Sequence, residues 1–270
     1  MKRAAVLGHP ISHSLSPKLH GYWLKKYQID GLYEAIDTPP EILSERLSQL
    51  MSEGYKGVNL TVPLKELAMP LMDELTETAC QIGAVNTVTF HQGKFCGDNT
   101  DAYGFIANLE QHVSNISNYL NHAVIIGAGG AARAVIAGLL VRGVKRITLT
   151  NRTLNKAEKL AEMSSVIEVV EWEKRNEYLS DATLLINTTS LGMDKQPPLS
   201  LSIETLPPNA LVTDIVYHPL QTDLLKESIK RDNNIVTGIG MLIHQAVPAF
   251  KAFYGQKVEL DEQLTKILLS

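Results

Sequence analysis

The stretch "AVIIGAGGAARAVIAGLL", Ala123 to Leu140, constrains the chain more than any other, because an apolar strand runs through a glycine-rich turn directly into an Ala-rich helix. Gly127, Gly129 and Gly130 stand at the junction, followed by Ala131. Glycine there permits a tight turn and lets backbone N–H groups reach a pyrophosphate at the positive end of the helix dipole. The last glycine of the usual GxGxxG is replaced by Ala132, which is still small enough for close helix packing. A glycine-rich turn alone is a weak signal, since a tight strand-to-helix turn with no ligand has the same pattern. The segments around it add the weight.

From Ala123 onward apolar strands alternate with helical segments: "AVIIG", "RITLTN", "SVIEVV", "ATLLINT", "ALVTDIV" and "NIVTG". Such strands indicate a parallel sheet covered on both faces. The expectation for residues 104–238 is a Rossmann-type, doubly wound dinucleotide domain. Its second strand ends in "LTNRT", where an NAD enzyme offers a carboxylate to the ribose hydroxyls. Asn151 and Arg152 stand there instead. A carboxylate would repel a 2′-phosphate, whereas a guanidinium pairs with it and stacks on adenine. The expected cofactor is therefore NADP. Arg152 also reads as a solvated charge, although cations are disfavoured beside the positive end of a helix.

The first hundred residues have a different rhythm. "AAVLG", a helix around Pro17 to Tyr27, "YEAID", a helix from Glu41 to Glu53 and "GVNLTV" precede a polar helical stretch from Leu64 to Thr78. "AVNTVTF" and "KFCGDN", separated by His91, Gln92 and Gly93, suggest a hairpin. Residues 1–103 thus form an α/β domain with a mixed sheet. The helical residues 239–270 have no strand to cross to and are expected to complete it.

At 270 residues with 44% hydrophobic and 20% charged side chains, the composition is that of an ordinary globular protein of two lobes. A net charge of −4 provides no basic field for a nucleic-acid backbone. No apolar run approaches the roughly 20 residues that span a bilayer, and the apolar start before Gly8 is too short for a secretory signal. The expectation is a cytoplasmic protein with neither nucleic-acid nor membrane partners. Cys80 and Cys96, the only cysteines, suggest neither a disulfide framework nor a zinc site. His9, His13 and His20 are interrupted by Pro10 and Pro17 and present no helical HxxxH face, so no metal is expected.

Polar clusters follow the strands of the first lobe. Ser14 and Ser16 lie in "HPISHSLSPKLH", Asn59, Thr61 and Lys65 in "NLTVPLK", and Asn86 and Asp101 follow "AVN" and "KFCG". In open α/β sheets ligands lie beyond the carboxyl ends of the strands, so these hydroxyls, amides and one ion pair suit a small polyhydroxylated molecule. Each also has a structural reading: Ser16 as an N-cap, Asn99 and Asp101 as caps of the helix at "AYGFIANLE", Lys65 as a surface charge. His13 reads as orienting the serine turn.

Taken together, "GHPISHSLSP", "NLTVPLK", "GAVNTV", "GDNTDAYGF", "GAGGAARA", "TNRT", "INTTSLGM" and "GIGMLIHQA" resemble the shikimate dehydrogenase family, in family order from Gly8 to Ala246. The resemblance implies reversible NADPH-dependent reduction of 3-dehydroshikimate to shikimate, a step of aromatic amino-acid biosynthesis. It implies Lys65 and Asp101 as the catalytic pair, and Ser14, Ser16, Asn59, Thr61, Asn86 and Gln245 as substrate contacts, with Tyr217 closing from the second lobe. For NADP it implies Gly127, Ala128, Gly129, Gly130, Ala131, Asn151, Arg152, Thr153, Lys156, Thr188, Met193, Ile215, Gly238 and Met241, with Glu77 on the nicotinamide side. Family members include monomers and homodimers.

A lysine ammonium can donate to a developing alkoxide, and a lysine amine can accept in reverse. A neighbouring carboxylate stabilises the ammonium, whereas a general base needs a lowered pKa, so the expectation is that Lys65 contributes more by polarising the carbonyl than by free proton exchange. Two alternatives stand beside this reading: a paralogue that also oxidises quinate, with NADP or NAD, and a non-catalytic ligand-binding homologue. Arg152 counts against NAD. The intact lysine and aspartate count against a pure binder.

Overall fold

The computed structural model describes residues 1–270, which divide into two compact units, Met1–Gly104 with Ile243–Ser270, and Phe105–Leu242. The first unit contains β1 (Lys2–Gly8), α1 (Ser16–Lys26), β2 (Gly31–Asp37), α2 (Leu43–Ser52), β3 (Gly57–Leu60), α3 (Leu64–Leu67), β4 (Glu74–Leu75), α4 (Glu77–Ile82), β5 (Thr87–His91) and β6 (Lys94–Asp98). Helix α5 (Asp101–His112) carries the chain into the second unit. The strand order is β2-β1-β3-β5-β6-β4. β1 lies parallel to β2 and β3, β5 runs antiparallel to β3 and β6, and β4 is parallel to β6, so the sheet is mixed. The β5–β6 hairpin turns at Gln92 and Gly93, both with positive φ (50° and 79°), which suits a tight turn between twisted strands.

Alternation along the strands sorts side chains between two faces. Ala5, Leu7, Val58 and Leu60 enter one core with Leu43, Leu47 and Leu50 of α2. Asn59, between Val58 and Leu60, therefore projects to the opposite face. An aromatic nest of His20, Trp23, Tyr33 and Phe250 belongs to the same unit.

The helical stretch expected from Leu64 to Thr78 is not continuous. α3 is a single turn, a 3₁₀ turn follows at Met69–Leu71, and Glu74–Leu75 form β4. Pro70 has no N–H for a helical ladder and clashes with the preceding turn. Glu74 and Leu75 find backbone partners on β6 instead.

The second unit contains β7 (Ala123–Ile126), α6 (Gly130–Val141), β8 (Ile147–Thr150), α7 (Leu154–Ala161), β9 (Ile167–Val170), β10 (Leu184–Asn187), β11 (Leu211–Asp214), α8 (Asp223–Lys230) and β12 (Asn234–Val236). Helix α9 (Ile239–Tyr254) returns the chain to the first unit, and α10 (Glu262–Leu269) follows it. All pairings are parallel, in the order β9-β8-β7-β10-β11-β12. That is the doubly wound order 3-2-1-4-5-6, whose direction reverses between β7 and β10. Ala123 and Ile125 pack with Val135 and Leu139 of α6, while Val124 and Ile126 pack with Leu224 and Leu225 of α8. Burial on both faces explains why β7 is apolar at every position and why the polar residues of β8, β10 and β11, Thr148, Thr150, Asn187, Thr213 and Asp214, are buried with it.

The end of β11 and the start of α9 meet at Gly238. A Cβ there would lie 2.3 Å from the Ile215 carbonyl oxygen and 2.7 Å from that of Asp214. Both are backbone atoms, so Gly238→Ala should displace the strand end and cost about 1–3 kcal/mol. The urea midpoint of the variant measures it, and an unchanged midpoint would mean that this close approach is absent in solution.

Candidate active site

In the first unit the candidate residues gather at the carboxyl ends of β1 and β3 and around the start of α5. β3 ends at Leu60, and Thr61 follows, its N–H bonded to the Leu7 carbonyl (2.9 Å). Pro63 then starts α3, whose Leu64 is fully buried and whose Lys65 carbonyl accepts from the Val85 N–H (2.8 Å). One buried leucine and one backbone bond thus fix a single helical turn that presents the Lys65 side chain.

Lys65 Nζ donates to Asp101 Oδ2 at 2.5 Å; the two side chains are 18% and 7% exposed. The other carboxylate oxygen, Oδ1, accepts from Asn86 Nδ2 (2.9 Å). Asn99 Oδ1 takes the Asp101 N–H (3.0 Å), so Asn99 caps this end of α5 and leaves the aspartate carboxylate free for the lysine. The Asn86 amide is held further by the Thr100 N–H, which donates to its Oδ1 (2.8 Å), and its Nδ2 also reaches Gln245 Oε1 (3.4 Å). Asp101 therefore has both oxygens filled, whereas an ammonium has three N–H groups and only one is directed at Asp101. The remaining N–H groups of Lys65, on its partly exposed side, are available to a substrate oxygen.

Ser14 and Ser16 lie in the turn between β1 and α1. Their turn is closed by Ser14 N–H on the Ile11 carbonyl (3.0 Å) and Ser16 N–H on Ser14 Oγ (3.3 Å). The role expected for His13 in orienting this turn is not seen, because His13 is exposed and the turn closes through the Ile11 carbonyl and Ser14 Oγ. Ser16 is the first helical residue, buried, and its side chain does not cap α1. Asn59 donates to the Asn86 carbonyl (3.1 Å) and to Thr87 Oγ1 (3.0 Å) and accepts from the Tyr33 hydroxyl (2.7 Å). Glu77 is exposed in the first turn of α4, taking a bond from Gln81 Nε2 (2.9 Å) and joining none of this network.

In the second unit Gly127 has φ 109°, and a Cβ on it would meet Thr188 Oγ1 at 2.7 Å. Its N–H bonds to the Thr150 carbonyl (2.8 Å), while Thr188 N–H and Oγ1 both donate to the Ile126 carbonyl (2.8 Å each). The turn therefore lies at the switch point between β7 and β10. No side chain caps α6, no acidic residue lies in its first turn, and a Cβ on Gly129 or Gly130 would meet nothing within 4 Å. Uncapped N–H donors with open approach are what a pyrophosphate needs, so this donor set fits a dinucleotide.

Asn151 accepts from the Ala128 N–H (3.2 Å) and donates to the Thr153 carbonyl (2.8 Å), tying the glycine turn to the loop that carries the exposed Arg152. Thr153 and Lys156 are exposed at the start of α7, and Met193 is 38% exposed. Ile215 lies just past the end of β11, and Gly238 and Met241 at the start of α9, with the Met241 N–H on the Gly238 carbonyl (3.1 Å). Tyr217 follows β11, and burial raises its phenol above the ordinary range. At the end of β11 the buried Asp214 accepts from Asn187 Nδ2 (3.0 Å), the Val216 N–H (2.9 Å) and Thr222 Oγ1 (2.7 Å); burial raises its carboxyl despite these donors.

Two family models match the chain, described as "Shikimate dehydrogenase substrate binding domain" over residues 6–88 and "Shikimate / quinate 5-dehydrogenase" over residues 109–193. A "Shikimate dehydrogenase (NADP(+))" of Paramagnetospirillum magneticum is 48% identical over 269 residues, 99% of this chain and 98% of its own. The chain belongs to the shikimate dehydrogenase family. The Paracoccus denitrificans protein of the same description is 45% identical, covering 99% and 95% of the two chains. Among solved structures, Thermus thermophilus shikimate 5-dehydrogenase, in complex with NADP(H) and shikimate, superposes with a TM-score of 0.86 at 38% identity, covering 99% of this chain and 97% of that one. Quinate dehydrogenase of Corynebacterium glutamicum, in complex with NAD, gives 0.90 at 28% identity, with 99% and 97% covered. The family is one of oxidoreductases acting on CH–OH groups, and the curated relatives use NADP.

Tyr33, Thr87 and Thr100 join this hydrogen-bond network without having been singled out in the sequence, and Asn99 caps α5 as expected. Thr100 and Asn99 lie inside the "GDNTD" motif that marked Asp101, and that proximity was the available signal.

Proposed function

We propose that this chain catalyses the reversible NADPH-dependent reduction of 3-dehydroshikimate to shikimate, with the first unit holding the substrate and the second the cofactor. The observation that supports it most is the Lys65–Asp101 pair, aligned by Asn86 at the strand ends of the first unit. NADPH, when bound, supplies a hydride to the carbonyl carbon. The Lys65 ammonium hydrogen-bonds to the carbonyl oxygen, stabilises the negative charge that grows there, and gives it a proton to complete the alcohol. Solvent then reprotonates the amine, and the reverse reaction runs the same steps backward. Asp101 holds the lysine on its line of approach. Ser14, Ser16, Asn59, Thr61, Asn86 and Gln245 supply hydroxyl and amide partners for the substrate's carboxylate and hydroxyls, with Tyr217 as a further contact. Under this reading the protein works in the cytoplasm on freely diffusing small molecules.

Incubation with shikimate or quinate and with NADP or NAD, following absorbance of the reduced cofactor, tests the assignment. Turnover with shikimate and NADP is the expected result; absence of signal in every combination would leave only a ligand-binding role. A second reading, oxidation of quinate, draws on the 0.90 TM-score to a quinate dehydrogenase. Arg152 disfavours NAD in either case. Replacing a charge-assisted partner by a like charge removes about 1.5–3 kcal/mol, so Arg152→Asp should raise KM for NADP about tenfold to a hundredfold and leave KM for NAD nearly unchanged. An unchanged KM for NADP would overturn the assignment of Arg152.

A further inference from the structure

Tyr33 is a buried residue of β2 that the mechanism above does not use. Its ring stacks on the ring of His20 with centroids 3.8 Å apart and planes 5° from parallel. The hydroxyl donates to Asn59 Oδ1 at 2.7 Å, with the Ser16 side chain also at hand. Burial raises this phenol well above its ordinary range, so it remains a donor across the working pH range.

From Asn59 the bonds continue in one direction. Asn59 Nδ2 donates to Thr87 Oγ1 (3.0 Å), Thr87 Oγ1 to Asn86 Oδ1 (2.9 Å), and Asn86 Nδ2 to Asp101 Oδ1 (2.9 Å), where Lys65 meets the other carboxylate oxygen. Each step is a donor pointing toward Asp101. The Asn59 amide cannot reverse, because its Nδ2 also donates to the Asn86 carbonyl (3.1 Å), which only accepts. Hydrogen bonds aligned head to tail polarise one another, so the chain acts as a unit.

We propose that Tyr33 is a positioning residue of the substrate site, acting through Asn59, Thr87 and Asn86 to set the carboxylate of Asp101 against Lys65. The proposal rests on the shikimate dehydrogenase reading for its kinetic consequences only. His20 contributes a flat aromatic face that holds the Tyr33 ring in plane, and the relay begins at the hydroxyl.

The experiment is Tyr33→Phe, which keeps the ring and the stack, measured beside Thr87→Val, which cuts the relay at its middle, and the double variant. In the apo protein, the Asn86 side-chain amide resonances should shift in Tyr33→Phe, although Asn86 does not touch Tyr33. Kinetically, kcat/KM for shikimate should fall about tenfold in each single variant and no further in the double, while KM for NADP stays within about twofold. Unmoved Asn86 resonances, additive losses, or equal losses toward shikimate and NADP would each overturn the proposal. If Tyr33→Phe does not fold, Thr87→Val carries the same kinetic expectation alone. Wild-type protein with no shikimate turnover would defeat the functional reading, and the resonance test would still judge the relay.

Discussion

Lys65→Ala should lower kcat for 3-dehydroshikimate reduction by about 10²–10⁴-fold, leaving KM for NADPH within about twofold. The loss has two parts. An ammonium positioned at the carbonyl oxygen stabilises charge that is present only in the transition state, and the same group supplies the proton. Alanine removes both and leaves Asp101, 7% exposed, as a carboxylate that has lost one of its two side-chain donors. Asp101→Asn probes the same pair from the other side. Both carboxylate oxygens accept, one from Lys65 and one from Asn86, so an amide must turn its NH₂ toward one of these donors. Donor then faces donor, and the lysine loses its line. Loss of about 10²-fold in kcat is expected for Asp101→Asn, with circular dichroism unchanged. Should Lys65→Ala keep kcat within about threefold and lose only substrate affinity, Lys65 would be a binding residue and the proton would have to come from elsewhere.

How much of this was legible in the sequence differs between the two units, for a physical reason. A strand buried on both faces is mostly apolar, so β7, β8, β10 and β11 announce themselves locally, and the glycine turn announces its own backbone requirement. The mixed sheet gives weaker signals. β4 is two residues long and exists because β6 offers it backbone partners, which no local pattern around Glu74 could reveal. The polar residues of the first unit were visible as clusters, yet their division of labour was not. Asn151 reads as a cofactor contact, whereas its amide bridges Ala128 and Thr153 and so shapes the loop that presents Arg152. Tyr33 reads as an ordinary strand aromatic. Its bond to Asn59 joins residues 26 positions apart in the chain and depends on which face of β3 the asparagine occupies. Helical or strand periodicity gives that face only after the register of the sheet is known.

The same aromatic nest should make the first unit acid-labile. His20 is fully buried, both ring nitrogens lack hydrogen-bond partners, and burial lowers its pKa from 6.5 to about 3. Native His20 therefore stays neutral down to about pH 3, whereas in the unfolded chain the imidazole takes up a proton below about pH 6.5. The unfolded state then binds more protons than the native state, so stability falls as pH falls through this window. The slope is about 1.4 kcal/mol per pH unit, which amounts to roughly 2 kcal/mol at pH 5 and about 5 kcal/mol at the lower end. Against a typical total of about 5–15 kcal/mol, that is enough to unfold a marginal unit. Trp23 lies edge-on to His20 with ring centroids 5.9 Å apart, so its fluorescence in a Trp172→Phe background reports urea unfolding of this region. His20→Phe keeps an aromatic face for Tyr33 and removes the titration. Any constant offset from the larger ring cancels when slopes are compared, as do the contributions of carboxylates common to both proteins. Between pH 6.5 and 4.5 the unfolding free energy of the histidine protein should fall faster than that of His20→Phe by about 1.2 kcal/mol per unit. Parallel slopes would mean that the native protein admits a proton to His20, and the dry, unpartnered ring seen here would not describe it in solution.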